Sequence, residues 1–249
     1  MTFLINSPDR NSTSAAIALT SFDDAELSAL PYQSQDSDAG LRQGPSDIYR
    51  AWGKRLFDVA LGSMMLLAAA PVILLLLLIV SLDGGRPIFA HRRVGQGGRP
   101  FGCLKIRSMH MNAEEQLAAI LASDPVAAAE WAADSKLSND PRVTRIGAFL
   151  RKSSLDELPQ LVNVLRGEMS LVGPRPITAD ELPRYGEATA GYLAMKPGLT
   201  GPWQVDGRNY ISYDARVALD VEYARVFGFC RDFDIVLRTS LSVLKLTGK

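Results

Sequence analysis

The sequence predicts an α/β, mostly helical protein in which a re-entrant membrane helix-hairpin and amphipathic interfacial helices carry a small cytoplasmic domain with a short β-hairpin. Three observations lead there. Val59 to Leu82 holds no charged residue and is closed by Asp58 and Asp83. Pro71 stands midway in that run. Beyond it, two short β-rich stretches flank Gly95-Gln-Gly-Gly98, and apolar residues then recur at helical spacing among arginines and lysines.

Three segments are expected: a leader over residues 1–48, a membrane element over 49–84 and a catalytic domain with interfacial helices over 85–249. The leader is Ser-, Asp- and Gln-rich, which predicts disorder and assigns it no chemistry. It lacks a cationic start followed by an apolar core, so it does not resemble a secretion signal, and the body is expected to stay in the cytoplasm. Residues 1–50 hold 7 acidic and 3 basic residues, leaving 20 acidic and 24 basic for the remainder. That mild basic excess suits lipid headgroups or phosphate ligands and falls well short of a duplex-DNA surface, which excludes nucleic acid. Cys103 and Cys230 match no zinc or redox spacing, and His91 and His110 are the only histidines.

From Tyr49 the pattern is helical, with Trp52 and the pair Lys54-Arg55 where interface anchors would sit. The 24 uncharged residues reach roughly 36 Å as a helix, enough for a hydrocarbon core of about 30 Å. Two features favour re-entry over a straight span. Pro71 removes an amide donor and leaves the Leu67 carbonyl unpaired, which predicts a bend. Basic residues also crowd both ends, with Arg42, Arg50, Lys54 and Arg55 before the run and Arg86, Arg92, Arg93 and Arg99 after it. The positive-inside bias therefore favours neither end, and if both prefer the cytoplasm the run enters, bends at Pro71 and leaves by the same leaflet.

Pro87 to His91 and Pro100 to Ile106 read as a hairpin about the glycine turn. Asn112 to Ala133 reads as two helices parted at Asp124-Pro125, with an alanine-rich packing face. Pro141 to Arg151 makes a basic amphipathic helix, for which the membrane surface and the protein's own core are equal candidates. Tyr213 to Phe229 and Phe233 to Leu246 are two further helical stretches compatible with the interface.

Ser153-Ser-Leu-Asp-Glu-Leu-Pro-Gln160 is the most informative stretch. Ser154 with Glu157 fits a capping box, in which Asp156 and Glu157 merely favour a helix start. The same carboxylates, beside Arg151 and Lys152, could instead attack phosphorus or hold Mg²⁺, dividing those roles because adjacent helical residues diverge by about 100°. Gly173-Pro-Arg-Pro176 is a stiff turn displaying Arg175 between Pro174 and Pro176, and Lys105 and Arg107 end the second strand. A solvated arginine at a turn explains the same residues. Pro197 to Asn209 combines Gly and Pro with Trp203, Gln204 and Arg208; Trp203 either stacks on a base or sugar or pins an ordinary loop. No phosphate-loop, dinucleotide-binding or zinc-protease motif occurs.

Seven ordered blocks then carry a resemblance: Lys54 to Asp58, Arg92 to Gly95, Lys105 to Met109, Asp140 to Thr144, Arg151 to Gln160, Gly167 to Pro176 and Lys196 to Asn209. From Trp52 onward the chain resembles the bacterial sugar transferase family, the monotopic polyprenol-phosphate phosphoglycosyl transferases. It looks most similar to the short rhizobial-type exopolysaccharide galactosyl-phosphate transferases. The family often has Ser-Pro at the membrane break, where this chain has Ala70-Pro71.

The resemblance implies that a hexose 1-phosphate, galactose 1-phosphate above all, passes from a UDP-sugar to undecaprenyl phosphate, the first membrane step of exopolysaccharide repeat-unit assembly. Asp156 would be the nucleophile and Glu157 the Mg²⁺ ligand. Arg151, Arg175, Lys105 and Arg107 would hold phosphate, and Pro174, Pro176, Trp203, Gln204 and Arg208 would line the nucleotide-sugar site. Expected partners are the UDP-sugar donor, the polyprenol phosphate acceptor, inner-membrane lipids and a candidate second copy of the chain. Glucose or N-acetylhexosamine donors, a hydrolase with water as acceptor and a non-catalytic scaffold are the competing readings.

Overall fold

The computed structural model describes residues 48–134, 137–206 and 212–244. The expected leader therefore lies outside the described residues except for Ile48. One π-helical turn, Tyr49–Gly53, leads into helix α1 (Lys54–Ser81). Pro71 does not end α1, which is continuous across it. The helix is long and apolar enough to cross a membrane, and its middle is uncovered, with Leu67 76% exposed.

Both ends of α1 are fastened to the same body. At the start, Lys54 Nζ lies 2.7 Å from Asp232 Oδ2 and donates to the Val172 carbonyl at 2.9 Å. Asp232 is fully buried and also accepts from Tyr49 Oη (2.7 Å) and Tyr223 Oη (2.6 Å). Arg55 donates to the carbonyls of Val164 (2.6 Å) and Leu165 (2.7 Å). Lys54 and Arg55, expected among the headgroups, are thus turned into the protein; only Trp52 stays outward. At the far end Leu76, Leu77 and Val80 pack with Ile106, Leu150 and Leu155. There Arg107 donates to the Val80 carbonyl at 2.9 Å and pairs with Asp83.

Strands β1 (Ile88–Val94) and β2 (Pro100–Ile106) form the expected antiparallel hairpin, with Ile88 opposite Ile106 and Val94 opposite Pro100. Helices α2 (Ala113–Ser123) and α3 (Pro125–Asp134) part at Asp124, whose Oδ1 accepts from the Val126 and Ala127 amides at 2.8 and 3.1 Å. The alanine face expected to pack does not: α2 buries no residue. Its alanines contribute helix propensity instead.

Helix α4 (Arg145–Ser153) starts later than its periodicity suggested, because Thr144 caps it and Val143 bridges to Met109 in extended backbone. Gly147, Leu150 and Ser153 face inward, while Ile146 and Phe149 face out. Both candidate faces are therefore present, one against the core and one apolar toward the surroundings. Gly147 is required by contact: a Cβ there would lie 1.8 Å from the Ser108 carbonyl oxygen.

A 3₁₀ turn (Leu155–Glu157) joins α4 to α5 (Gln160–Arg166). Strand β3 (Ser170–Val172) then pairs in parallel with β4 (Gly198–Thr200), a second small sheet that periodicity did not predict because each strand is only three residues. Gly173 and Gly198 meet backbone to backbone, leaving no room for a Cβ at either. Between these strands run a 3₁₀ segment (Ala179–Ala188) and α6 (Thr189–Leu193). After β4 come α7 (Pro202–Asp206), α8 (Tyr213–Val226) and α9 (Phe229–Leu244). Helix α9 begins four residues earlier than expected and exposes Phe229, Phe233, Leu237 and Leu241, one residue per turn.

The main core joins Leu161 and Val164 of α5, Leu171 and Val172 of β3, Cys103 and Tyr223, with Phe57, Leu61, Met65 and Leu66 of α1 packed on it. A second cluster holds Tyr185, Tyr192 and Val94. There Tyr185 Oη donates to Asp220 Oδ2 at 2.9 Å, and burial pushes the Asp220 carboxyl up to about 7.

Two predictions follow from the packing. Gly147→Ala forces α4 away from Ser108 and should cost about 3 kcal/mol or more, read as a lower Tm; an unchanged Tm would contradict the close approach. The raised Asp220 value means that the folded state holds this proton more tightly than the unfolded chain, so its stabilisation is complete at acid pH and is lost as pH rises through about 7. Wild-type Tm should fall by roughly 3 °C or more between pH 5.5 and 8, and Asp220→Asn should flatten that slope. An equal slope in the variant would assign it elsewhere.

Candidate active site

Three local structures converge on Asp156. Helix α4 ends at Ser154, which is left-handed (φ 58°), caps α4 through its backbone amide and uses no side-chain cap. This overturns the capping box expected of Ser154 and Glu157: the next helix begins only at Gln160, so the two carboxylates occupy the sharp 3₁₀ turn between helices. A non-glycine residue held at positive φ costs of order 1 kcal/mol or more and is retained where surrounding structure enforces it.

Strand β2 supplies the second component. Asn163 of α5 is fully buried; its Oδ1 accepts from the Leu104 amide (3.0 Å) and its Nδ2 donates to the Gly102 carbonyl (2.8 Å). That amide clasp fixes β2 against α5 and aims Lys105, whose Nζ lies 2.8 Å from Glu157 Oε1. The third component is the close Gly173–Gly198 contact, which sets the direction of Pro174-Arg175-Pro176. The Pro174 carbonyl is engaged by the Gly198 amide at 2.7 Å.

Asp156 is 7% exposed. Burial, and secondarily Glu157, push its carboxyl up to about 6 against the pull of Lys105 and Arg151. It is therefore ionised at neutral pH yet more basic than an ordinary carboxylate. Glu157 differs: burial works to raise it, but Lys105, Arg175 and Arg93 outweigh burial and hold it below the usual range. Its side chain remains 35% exposed. Two adjacent carboxylates thus have distinct characters, one desolvated and more basic, the other held ionised by the cations around it. Cys103 offers no rival nucleophile, since burial pushes its thiol up to about 11. His91 is held down to about 4 by burial, Arg93 and Lys105, and is neutral.

Of the phosphate binders expected from sequence, Arg151, Lys105 and Arg175 gather here. Arg151 Nε donates to Ser108 Oγ at 2.9 Å, which steadies a largely exposed guanidinium beside Asp156. Arg107 does not join them: it is spent on the Arg86 and Val80 carbonyls and Asp83 at the end of α1. Trp203 is buried, with Arg175 (5.7 Å) and Arg216 (4.9 Å) over its ring, so it serves as a platform for guanidiniums. Gln204 sits one residue on, reaching the Leu199 carbonyl at 3.5 Å. Pro176 flanks Arg175, and Arg208 lies outside the described residues.

Sequence reasoning missed Arg93, Ser108, Asn163 and Arg216 as parts of the site. Arg93 was recoverable, because the hairpin register puts it on the same strand face as His91, opposite the strand that carries Lys105. Arg93 pairs with Glu181 at 3.1 Å. Asn163 and Arg216 carried no local signal. Among the described residues no group of three or more His, Cys, Asp or Glu side chains assembles to hold a metal.

Residues 49–246 match the family model described as bacterial sugar transferase. An undecaprenyl-phosphate galactose phosphotransferase of Salmonella typhimurium is 51% identical over 195 residues, 78% of this chain and 41% of that one. A UDP-galactose-lipid carrier transferase of Erwinia amylovora is 52% identical over the same shares. The exopolysaccharide production protein ExoY of Rhizobium meliloti is 50% identical over 196 residues, covering 78% of this chain and 87% of that protein. The match thus spans less than half of the first two relatives and nearly all of the third. The chain belongs to the bacterial sugar transferase family.

Proposed function

We propose that this chain transfers a hexose 1-phosphate, galactose 1-phosphate in the first instance, from a UDP-sugar to undecaprenyl phosphate at the cytoplasmic face of the inner membrane. The observation that carries this reading is Asp156: a desolvated carboxylate in an enforced turn, ringed by Lys105, Arg151 and, through Glu157, Arg175. The names of the galactose-transferring relatives support the donor and the acceptor.

In the first step an Asp156 oxygen attacks the β-phosphorus of the donor. The bond from that phosphorus to the bridging oxygen breaks, and UMP leaves with the oxygen. In the second, a phosphate oxygen of the lipid attacks the same phosphorus, which releases the Asp156 carboxylate and yields the lipid diphosphosugar. Arg151 and Lys105 hold the phosphate under attack, and Arg175 meets charge that grows on the leaving side. The raised basicity of Asp156 aids attack, and its burial keeps water from the acyl phosphate.

A Mg²⁺ ion fits these residues in one form only. With no cage of carboxylates among the described residues, the ion would be held by Glu157 together with the donor's diphosphate, the pattern Mg²⁺ favours. Its chemistry would be to neutralise the diphosphate and stabilise UMP as it leaves.

The membrane reading is that α1 enters and leaves by one leaflet. Its two ends pack on the same body, which supports entry and exit by one leaflet over a straight span that would part them. The apolar stripe of α9 and the outward Ile146 and Phe149 of α4 suit the interface beside it. That depth favours a lipid acceptor over water and so disfavours a hydrolase.

Purified protein with Mg²⁺, UDP-galactose and undecaprenyl phosphate should release UMP, and Asp156→Asn should lower the rate by about a thousandfold or more. Retained turnover in Asp156→Asn would exclude the covalent route. Release of sugar phosphate from wild type without lipid would establish the hydrolase.

A further inference from the structure

The donor's nucleotide end requires a site of its own, and one arginine outside every motif is placed to make it. Arg216 lies on α8, half-buried, with its guanidinium carbon 4.9 Å from the centre of the Trp203 ring. Arg175, from the turn after β3, stands 5.7 Å from the centre of the same ring. Two guanidiniums on one indole repel each other, and burial sharpens the repulsion. Trp203 draws each inward by cation–π attraction without cancelling either charge.

Among the described residues neither is held in an ion pair, although Arg175 shares the charge of Glu157 with Lys105 and Arg93. Arg216 Nε is buried without a hydrogen-bond acceptor. Asp220, one turn along the same helix, is engaged by Tyr185 through Oδ2, and its buried Oδ1 makes no hydrogen bond to Arg216. The other cations of the site do have protein partners: Lys105 has Glu157, Arg93 has Glu181 and Arg151 has the Ser108 hydroxyl. A buried donor left unpaired beside a second positive charge is costly, and an anion lying between the two forks relieves both terms.

The order of charges fixes which anion. Arg151 acts on Asp156 alone of the two carboxylates, Lys105 acts on both and pairs with Glu157, and Arg175 acts on Glu157. Arg216 is linked to Arg175 through the Trp203 ring that both lie over. From Asp156 outward the sequence is therefore nucleophile, Glu157, Arg175, Arg216. We propose that Arg216, paired with Arg175 on the Trp203 platform, binds the nucleotide-side phosphate of the donor, which becomes the phosphate of the departing UMP. The assignment rests on the transferase reading above and adds a residue and a division of labour: Arg151 and Lys105 for the phosphate transferred, Arg175 and Arg216 for the phosphate released.

The test uses UMP itself as probe, on the full chain in detergent. Arg216→Gln should weaken UMP binding and raise the donor KM by about tenfold or more, the loss expected of one charge-assisted contact. The lipid-acceptor KM should stay within about twofold. Arg216→Lys, which keeps charge but not the fork, should recover part of the donor KM. Because a variant at a packed ring could misfold, wild-type protein provides a second arm: UMP should slow modification of Arg216 by phenylglyoxal, read by peptide mass spectrometry. Unchanged UMP affinity in Arg216→Gln, or modification at the same rate with and without UMP, would overturn the proposal. If wild type forms an Asp156 adduct from UDP-galactose while these results fail, Arg216 alone is misassigned. If wild type neither forms an adduct nor binds UMP, the transferase reading falls with it.

Discussion

The buried pairing of Lys54 with Asp232 is the interaction on which the rest of the structure depends. Asp232 is wholly enclosed, and an enclosed carboxylate is tolerable only when several donors meet it; Lys54, Tyr49 and Tyr223 do so. One ion pair therefore ties three distant pieces of chain together: the start of the membrane helix, α8 through Tyr223 and α9 through Asp232. The Val172 carbonyl, also held by Lys54, brings in β3. Asp58, one turn on, accepts from the Leu171 amide at 2.9 Å and secures the same strand again. Since β3 leads directly into Gly173-Pro174-Arg175, the geometry of that turn is referred back to the base of α1.

Chemistry and membrane are coupled at the other end of α1 as well. Arg107 fastens the Val80 carbonyl, and two residues before it Lys105 reaches Glu157. Alternation along β2 sends these two cations to one face, yet the strand's end lets Arg107 turn back to α1 while Lys105 serves the site. The Asp156–Glu157 turn is thus held between two anchor points of a single apolar helix. In the proposed transfer to a lipid phosphate, that arrangement would set the height of Asp156 relative to the headgroups.

Much of this was legible in the sequence, and the reasons are local. The uncharged run, the hairpin about Gly95 to Gly98 and the break at Asp124-Pro125 each follow from short-range chemistry, and each is found. The Asp156–Glu157 pair was legible as chemistry, but its conformation was not: Ser-x-x-Glu reads as a capping box unless the chain is known to turn left-handed at Ser154. The parallel β3–β4 pair was invisible because strands of three residues have no period to detect. Arg107 and Lys105 looked equivalent on paper, and only the position of α1 separated them. Asn163 and Arg216 depend on partners 59 residues before the one and beside a tryptophan on another helix for the other, which no window on the sequence contains.

The most direct test of the account is the sidedness of the two ends of α1. With Cys103 and Cys230 replaced by serine, single cysteines at Ile48 and Arg86, both exposed positions, would be challenged with a membrane-impermeant maleimide in spheroplasts and in inverted inner-membrane vesicles. The account predicts labelling of both positions in inverted vesicles and of neither in spheroplasts. Labelling of the two from opposite sides would mean that α1 spans the bilayer, and the shared anchoring of its ends to one catalytic body would be contradicted.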